Sequence, residues 1–343
     1  MKAAVWTKPN HMEIQNIPDP KPKSGEVLIK VLGCGVCGTD CHIFAGEVPL
    51  AKPPQVLGHE IVGEVVENSP GIQPLKPGQK VCVDPVIGCG VCPFCQSGKT
   101  NLCPSPTIIG YARIGGFAPY TTVPRSHLYP VSQGMDNRAG ILVETLACVI
   151  NGYDRLEIKA GGSTLILGAG CVGLLWTELV KRSVATRLVQ TDIVPERLKA
   201  AKKIGADFVI DSQDPDWVKE AKEREPGGFD CVIDATGSSK AMQEGLPLVK
   251  KGGKFMIFGV APEEEKLVIS PYEMFAKELT IIGSKMPPNT MDRAVRIIEA
   301  GLIDYKTMVS TTMPLDKLPD AIRAFNKDKG KHIKIMIDPE MTM

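Results

Sequence analysis

Four cysteines, Cys89, Cys92, Cys95 and Cys103, follow one another in the run GCGVCPFCQSGKTNLC with the spacing C-x2-C-x2-C-x7-C. No other feature constrains the fold as tightly. Four thiolates on one short segment close a tetrahedral shell around Zn²⁺, and a closed shell leaves no position for a substrate. The run therefore predicts a lobe, residues 89–103, stitched by a structural metal because it has little apolar content of its own. Clustered free thiols and a disulfide framework are the competing readings. The second needs an oxidising compartment. The eleven cysteines are odd in number and most lie outside the run, which favours metal-bound and buried free thiols in a reducing setting.

A chain of 343 residues predicts about two domains. With a net charge of +1 it offers no basic surface for nucleic acid and no field for a membrane. The opening MKAAVWTKPN has too short an apolar stretch for a secretory signal. The longest apolar run, Ser163 to Val180, is broken by Gly168, Gly170 and Gly173, so it reads as strand, turn and helix rather than a membrane span. The expectation is a cytoplasmic protein without nucleic-acid or membrane partners.

Residues 1–152 are rich in Gly, Pro and Val, with short apolar runs such as EVLIKVLGCGVCG, HEIVGEVVE and KVCVDP separated by turn signals. That is the texture of an irregular β domain with partial barrel character. From Tyr153 the texture changes. Candidate strands at Thr164–Leu167, Leu188–Thr191, Phe208–Ile210, Cys231–Ile233, Phe255–Phe258 and Leu279–Ile282 alternate with amphipathic helices, among them Glu196–Ile204 and Ala241–Val249. Such alternation implies an α/β fold with a doubly wound parallel sheet over residues 153–285. Residues 286–343 hold two helices (Met291–Ala300, Leu315–Asn326) and a final strand, Lys334–Ile337, a tail expected to return to the first domain.

The sequence STLILGAGCVGLLWTELV carries Gly168-x-Gly170-x-x-Gly173. A lone G-x-G-x-x-G is weak. Here it follows an apolar strand and opens a helix whose apolar face falls at Val172, Leu175, Trp176, Leu179 and Val180. The glycines permit a tight turn and close approach of backbone to a pyrophosphate, which then faces the helix N-terminus. The next strand ends in Asp192, placed to accept from the adenosine ribose hydroxyls and to repel a 2′-phosphate, which points to NAD. Arg197 lies close by and can serve either cofactor. Thr236 in DATG and Val260 in FGV end later strands, where a bound dinucleotide lies.

A second ligand set comes from three distant segments: Cys37 in GCGVCGTDCH, His59 and Glu60 in LGHE, and Glu144 in LVETLAC. Each alone is more often a core or satisfied structural residue. Together they supply Cys, His and carboxylate with an open fourth position, the shell of a catalytic zinc acting as a Lewis acid on a substrate alcohol. Thr39 is placed to bond the reacting oxygen, and His42 to pass its proton on to water.

These stretches, with GGFAPY at 115–120 and KELTIIGS, resemble the zinc-dependent medium-chain dehydrogenase/reductase superfamily in order along essentially the full length. The resemblance implies a GroES-like β-rich catalytic domain, a Rossmann domain, an active site in the cleft between them, two zinc ions per subunit, NAD, and a homotetramer or homodimer. Within the superfamily the chain looks most like the polyol branch of sorbitol, arabinitol, xylitol and threonine-type enzymes. Glu144 stands where ordinary alcohol dehydrogenases place a cysteine. The implied activity is oxidation of a secondary hydroxyl of a polyol or sugar alcohol to a ketone. An L-threonine 3-dehydrogenase or a general secondary alcohol dehydrogenase is the alternative. Whether Glu60 or Glu144 contacts the metal varies with the state of such sites. Thr145, Asn151, Ile43 and the segment GSKMPPNT depart from the common pattern of the branch, so the reading stops at polyol or related alcohol.

Overall fold

A run of Val, Ile and Leu that is buried on both faces forms a strand only inside a sheet covered on both sides. A computed structural model, describing residues 1–327 and 332–342, has such a sheet. Its six parallel strands lie in the order Phe208–Asp211, Arg187–Asp192, Ser163–Leu167, Phe229–Asp234, Val249–Ile257, Thr280–Gly283. The chain winds outward from Ser163–Leu167 on one side and then returns to the other. The strand order thus reverses beside that first strand, where an open α/β sheet binds its ligand. Leu165, Leu167, Val189, Val232 and Phe255 form the core with Trp217 and Phe229.

Every candidate strand of this region is present, and the helices Cys171–Arg182 and Pro195–Ile204 fall where periodicity puts them. The expected helix Ala241–Val249 ends early. Its helix is Ser239–Gly245, a 3-10 turn Leu246–Leu248 follows, and Val249 opens the next strand. Pro247 accounts for the stop, since it has no N–H to donate to the preceding turn of the α-helix; Leu246 keeps helical dihedrals and the chain tightens into the 3-10 turn.

Contacts divide the chain into two units, Met1–Ala147 with Met286–Met343, and Cys148–Lys285. The first is β-rich. Its largest sheet orders Leu128–Pro130, Lys80–Val83, Glu60–Asn68, Glu26–Gly35, Lys334–Asp338 and Val309–Pro314, with Tyr120–Pro124 also pairing Glu26–Gly35. The C-terminal strand Lys334–Asp338 therefore inserts between Glu26–Gly35 and Val309–Pro314, antiparallel to the first and parallel to the second. Val27, Ile29, Val31, Ile61, Val65, Ile335 and Ile337 share one core with Leu318 and Ile322 of the helix Leu318–Lys327. Residues 328–331 and 343 of the expected return segment lie outside the described residues.

The segment leading into Tyr120–Pro124 is held tightly against the residues preceding His59. Gly115 N–H donates to Val56 O (2.9 Å), Gly116 N–H to Gly58 O (2.9 Å) and Phe117 N–H to Leu57 O (3.1 Å). A Cβ on Gly115 would stand 2.3 Å from Leu57 O and 2.4 Å from Gly58 O, so only glycine permits this approach. Gly115→Ala is expected to destabilise the protein by about 1–3 kcal/mol, the cost of overpacking. The denaturant midpoint checks this, and an unchanged midpoint contradicts it.

Candidate metal and cofactor sites

The four lobe sulfurs of Cys89, Cys92, Cys95 and Cys103 lie within 4.8 Å of one another. Local backbone aims them inward. Cys92 caps the short helix Pro93–Gln96 and its Sγ accepts from Cys95 N–H (3.4 Å); Cys89 Sγ accepts from Cys92 N–H (3.4 Å) and Cys103 Sγ from Cys89 N–H (3.3 Å). The N–H groups of Val91 and Cys92 pull the Cys89 thiol down to about 6. Gly90 N–H favours the Cys95 thiolate, but burial and the neighbouring sulfurs outweigh it and push that thiol up to about 11. Four sulfurs with no oxygen or nitrogen donor fit zinc in a closed shell.

The second set gathers from separate elements. Cys37 is the N-cap of the helix Gly38–Ala45, which places its sulfur at a helix N-terminus. His59 and Glu60 sit where the chain enters the strand Glu60–Asn68. One ligand atom from each of Cys37, His59 and Glu60 lies within 4.8 Å of the others, and His59 and Glu60 are buried. A thiolate, an imidazole and a carboxylate fit zinc with room for a fourth partner. Glu144, in the first turn of the helix Leu142–Leu156, is buried but falls outside this grouping. Thr39 Oγ1 is 3.6 Å from Cys37 Sγ, so its hydroxyl stands at the cluster. His42 is about half exposed and its Nδ1 meets Glu47 Oε2 at 2.6 Å.

Two residues escaped the sequence reading. Asp40 is fully buried. Its Oδ2 accepts Cys37 N–H (2.9 Å), its Oδ1 accepts Gly58 N–H (3.3 Å), and Oδ1 stands 3.4 Å from His59 Nδ1, an ion-pair distance outside hydrogen-bond geometry. Asp40 thus joins the helix carrying Cys37 to the loop carrying His59 and turns the other imidazole nitrogen toward the cluster. Burial alone would depress the His59 imidazole; the facing Asp40 carboxylate overrides that and raises it. An acid three residues after a helix N-cap is the local signal that marks Asp40.

Lys334 is the other. Its Nζ reaches Glu60 Oε1 at 2.6 Å and Oε2 at 2.8 Å and also donates to Val36 O at 3.3 Å. Thr145 Oγ1 adds a third bond to the same carboxylate, at 2.8 Å from Oε1. The Lys334 and Glu60 side chains are 4% and 0% exposed. No pattern around Lys334 announces this role.

In the second unit the glycine turn follows the strand Ser163–Leu167 directly. Gly168 has φ +97°, which favours glycine, and its N–H donates to Thr191 O (2.8 Å). A Cβ on Gly173 would lie 2.1 Å from Gly168 O, so the third glycine lets the helix pack on the turn. Gly170 is the N-cap of Cys171–Arg182, and Val172 lies in the first turn. Asp192 is buried. Its Oδ2 accepts Ala169 N–H (2.6 Å) and its Oδ1 accepts Val194 N–H (2.9 Å), so it clamps the turn as well as standing at the strand end. Thr236 Cγ2 would touch a Cβ on Gly168, at 2.8 Å, and Arg197 Nη1 one on Gly170, at 3.7 Å. Val260 is exposed, and its carbonyl would stand 2.4 Å from a Cβ on Gly237. The fold thus brings Gly168, Gly170, Gly173, Asp192, Arg197 and Thr236 around one turn, with Val260 against Gly237 beyond Thr236.

A doubly wound sheet with a glycine turn, together with a β-rich unit holding two zinc-compatible donor sets, defines a zinc- and nucleotide-linked oxidoreductase. Residues 23–133 match the alcohol dehydrogenase GroES-like domain and residues 171–300 the zinc-binding dehydrogenase domain. The chain is 34% identical to D-arabinitol dehydrogenase 1 of Uromyces fabae over 94% of this chain and 93% of that one. It is 37% identical to L-threonine 3-dehydrogenase of Thermococcus kodakarensis over 99% and 98% of the two chains. A solved protein of Sinorhizobium meliloti 1021, described as a zinc-binding dehydrogenase and bound to NADP, superposes with a TM-score of 0.94 at 35% identity, covering 98% and 99%. The chain belongs to the zinc-dependent medium-chain dehydrogenase/reductase superfamily, in its polyol dehydrogenase-like branch.

Removing the Lys334 charge leaves Glu60 buried and uncompensated. Lys334→Met is expected to cost about 3–5 kcal/mol in chelator-treated protein. The loss should be clearly smaller with zinc bound, because the ion then balances the carboxylate. Denaturation with and without chelator reads the difference; equal losses in both states contradict the assignment.

Proposed function

We propose that this dehydrogenase oxidises a secondary hydroxyl of a polyol or sugar alcohol to the ketone, with NAD as acceptor and two zinc ions per chain. The observation that carries this reading is the gathering of Cys37, His59 and Glu60 donor atoms within 4.8 Å inside a chain of this family. When bound there, zinc supplies Lewis acidity toward an alcohol oxygen. Glu144, in the first turn of the helix Leu142–Leu156, is the alternate carboxylate ligand. Cys89, Cys92, Cys95 and Cys103 hold the second ion and contribute folding energy only.

The chain's own groups position the substrate and move its proton. Thr39 Oγ1, next to Cys37 Sγ, accepts the proton of the reacting hydroxyl. His42 carries it to solvent. Glu47 holds Nδ1 of that ring, which leaves Nε2 as the acceptor. On the cofactor side, the turn from Gly168 through Gly173 binds the pyrophosphate, with Val172 in the first helical turn. Asp192 meets the ribose diol, and its charge disfavours a 2′-phosphate. Arg197, Thr236 and Val260 line the rest. The NADP in the Sinorhizobium relative makes cofactor choice a point to measure.

The identity with the Thermococcus protein favours a second reading, L-threonine 3-dehydrogenase. A spectrophotometric screen of NAD and NADP reduction against polyols, threonine and simple secondary alcohols separates the readings. NAD with a polyol is expected to give the highest kcat/KM, metal analysis about two zinc per chain, and Thr39→Val a loss of about 10²–10⁴-fold, the usual span for proton-transfer groups. Preference for threonine, equal use of NADP, or an unimpaired Thr39→Val would each remove the corresponding part.

A cytoplasmic homotetramer or homodimer completes the proposal. Its eleven cysteines include no disulfide, and among the described residues no helix is long and apolar enough to cross a membrane. Thr280–Gly283 is the edge strand of the second unit's sheet, and the segment before it in the chain carries Val268, Tyr272 and Phe275, which are 73%, 76% and 81% exposed. Such an apolar segment calls for a covering surface, and a second copy supplies one. Light scattering is expected to give a multiple of the chain mass for wild type and a smaller species for Phe275→Asp. A monomeric wild type contradicts the assembly.

A further inference from the structure

We propose that Tyr111 selects the substrate: its phenol hydroxyl binds the hydroxyl adjacent to the one being oxidised, and so discriminates vicinal diols from simple alcohols. The inference rests on the alcohol-oxidising reading of the Cys37–His59–Glu60 cluster and deepens it.

The first observation is contact. The Tyr111 ring packs edge-on against the His59 ring, with centroids 5.7 Å apart and planes at 84°. The second is electrostatic. Cys37, Asp40, Glu144 and His59 are the charged groups whose fields reach the Tyr111 hydroxyl, all within the same unit. The third concerns the hydroxyl itself. Tyr111 is partly buried against the core, yet among the described residues no side-chain or backbone group bonds its hydroxyl. A half-buried phenol is normally paired. An open O–H beside a metal-ligand set is a binding group waiting for a ligand oxygen.

The backbone makes the placement firm. Tyr111 N–H donates to Ile108 O (3.1 Å) and Gly110 N–H to Arg113 O (2.9 Å), closing a tight turn. Gly110, at φ +88°, carries a Cβ position 2.7 Å from Gly58 O, so the turn lies directly on the residue before His59. With Gly115 and Gly116 bonded to the same stretch, the backbone that carries Tyr111 is tied to the segment that carries His59. A substrate whose reacting hydroxyl lies at the cluster presents its neighbouring hydroxyl to this donor. A monohydric alcohol leaves the donor unused, and a site built to bond a hydroxyl discriminates against an analogue that lacks it.

The test compares wild type with Tyr111→Phe on 2,3-butanediol, 2-butanol and threonine, with zinc content measured on both proteins. The Phe ring keeps the contact with His59. Its kcat/KM for the diol is expected to fall about 3- to 10-fold, the effect of one neutral hydrogen bond, with 2-butanol changed less than about twofold and zinc unchanged. An equal fall for both alcohols, a loss of zinc, or an unchanged diol-to-monool ratio would overturn the assignment. Wild type oxidising 2-butanol as well as the diol would overturn both this inference and the polyol reading. Preference for threonine over the diol sinks the polyol reading alone; Tyr111 is then judged by whether Phe lowers the diol-to-monool ratio.

Discussion

A buried carboxylate that belongs to a metal-compatible donor set needs a counter-charge, and Lys334 supplies it to Glu60. The pair joins residues 274 positions apart in the chain. Its two contacts at 2.6 and 2.8 Å, with Thr145 as a further donor, satisfy the carboxylate on both oxygens. Without Lys334 the charge would sit in the core uncompensated, a loss larger than most single substitutions produce. The architecture meets this requirement. The C-terminal strand Lys334–Asp338 enters the first unit's sheet beside Glu26–Gly35, which in turn pairs with the strand that Glu60 opens. The return of the tail is therefore part of the site as well as of the fold.

Asp40 performs the matching task for His59. Because it also caps its own helix, one buried carboxylate fixes Cys37, the loop at Gly58 and the imidazole together. The lobe solves its problem by other means. It has exposed apolar residues, Val91 and Phe94 among them, and little core. Its order comes from four sulfurs and the N–H groups aimed at them. A closed thiolate shell suits a segment that cannot bury enough surface to fold unaided. The two donor sets thus differ in kind: one is held by its own turn, the other by distant charged residues.

Asp192 shows how far a motif can be read. Its place at the end of the second strand marks it for the ribose, as the spacing after Gly173 implies. Its carboxylate nevertheless already accepts two backbone N–H groups, from Ala169 and Val194. The same charge that would choose the cofactor therefore also shapes the glycine turn. Substitutions there act on the turn as well as on the ribose, which no spacing argument conveys. The strand–helix order was legible because burial imposes a period of two or 3.6 along the chain. The expected helix Ala241–Val249 gave way at Pro247, and the expected helix Leu315–Asn326 opens as a 3-10 turn, Leu315–Lys317, before the helix Leu318–Lys327.

What the sequence alone determined is the chemistry whose partners lie close together in the chain. The four lobe cysteines and the glycine turn are each written within one short run, so residue type and spacing bring them together. The tertiary structure decided which distant groups meet. It set Lys334 on Glu60, Asp40 on His59, and Tyr111 against that same imidazole, and it grouped Glu60 rather than Glu144 with Cys37 and His59. The reason is physical. Local periodicity and turn chemistry act over a few residues, whereas the sideways order of strands depends on packing and charge compensation across the whole unit, and no short stretch encodes that.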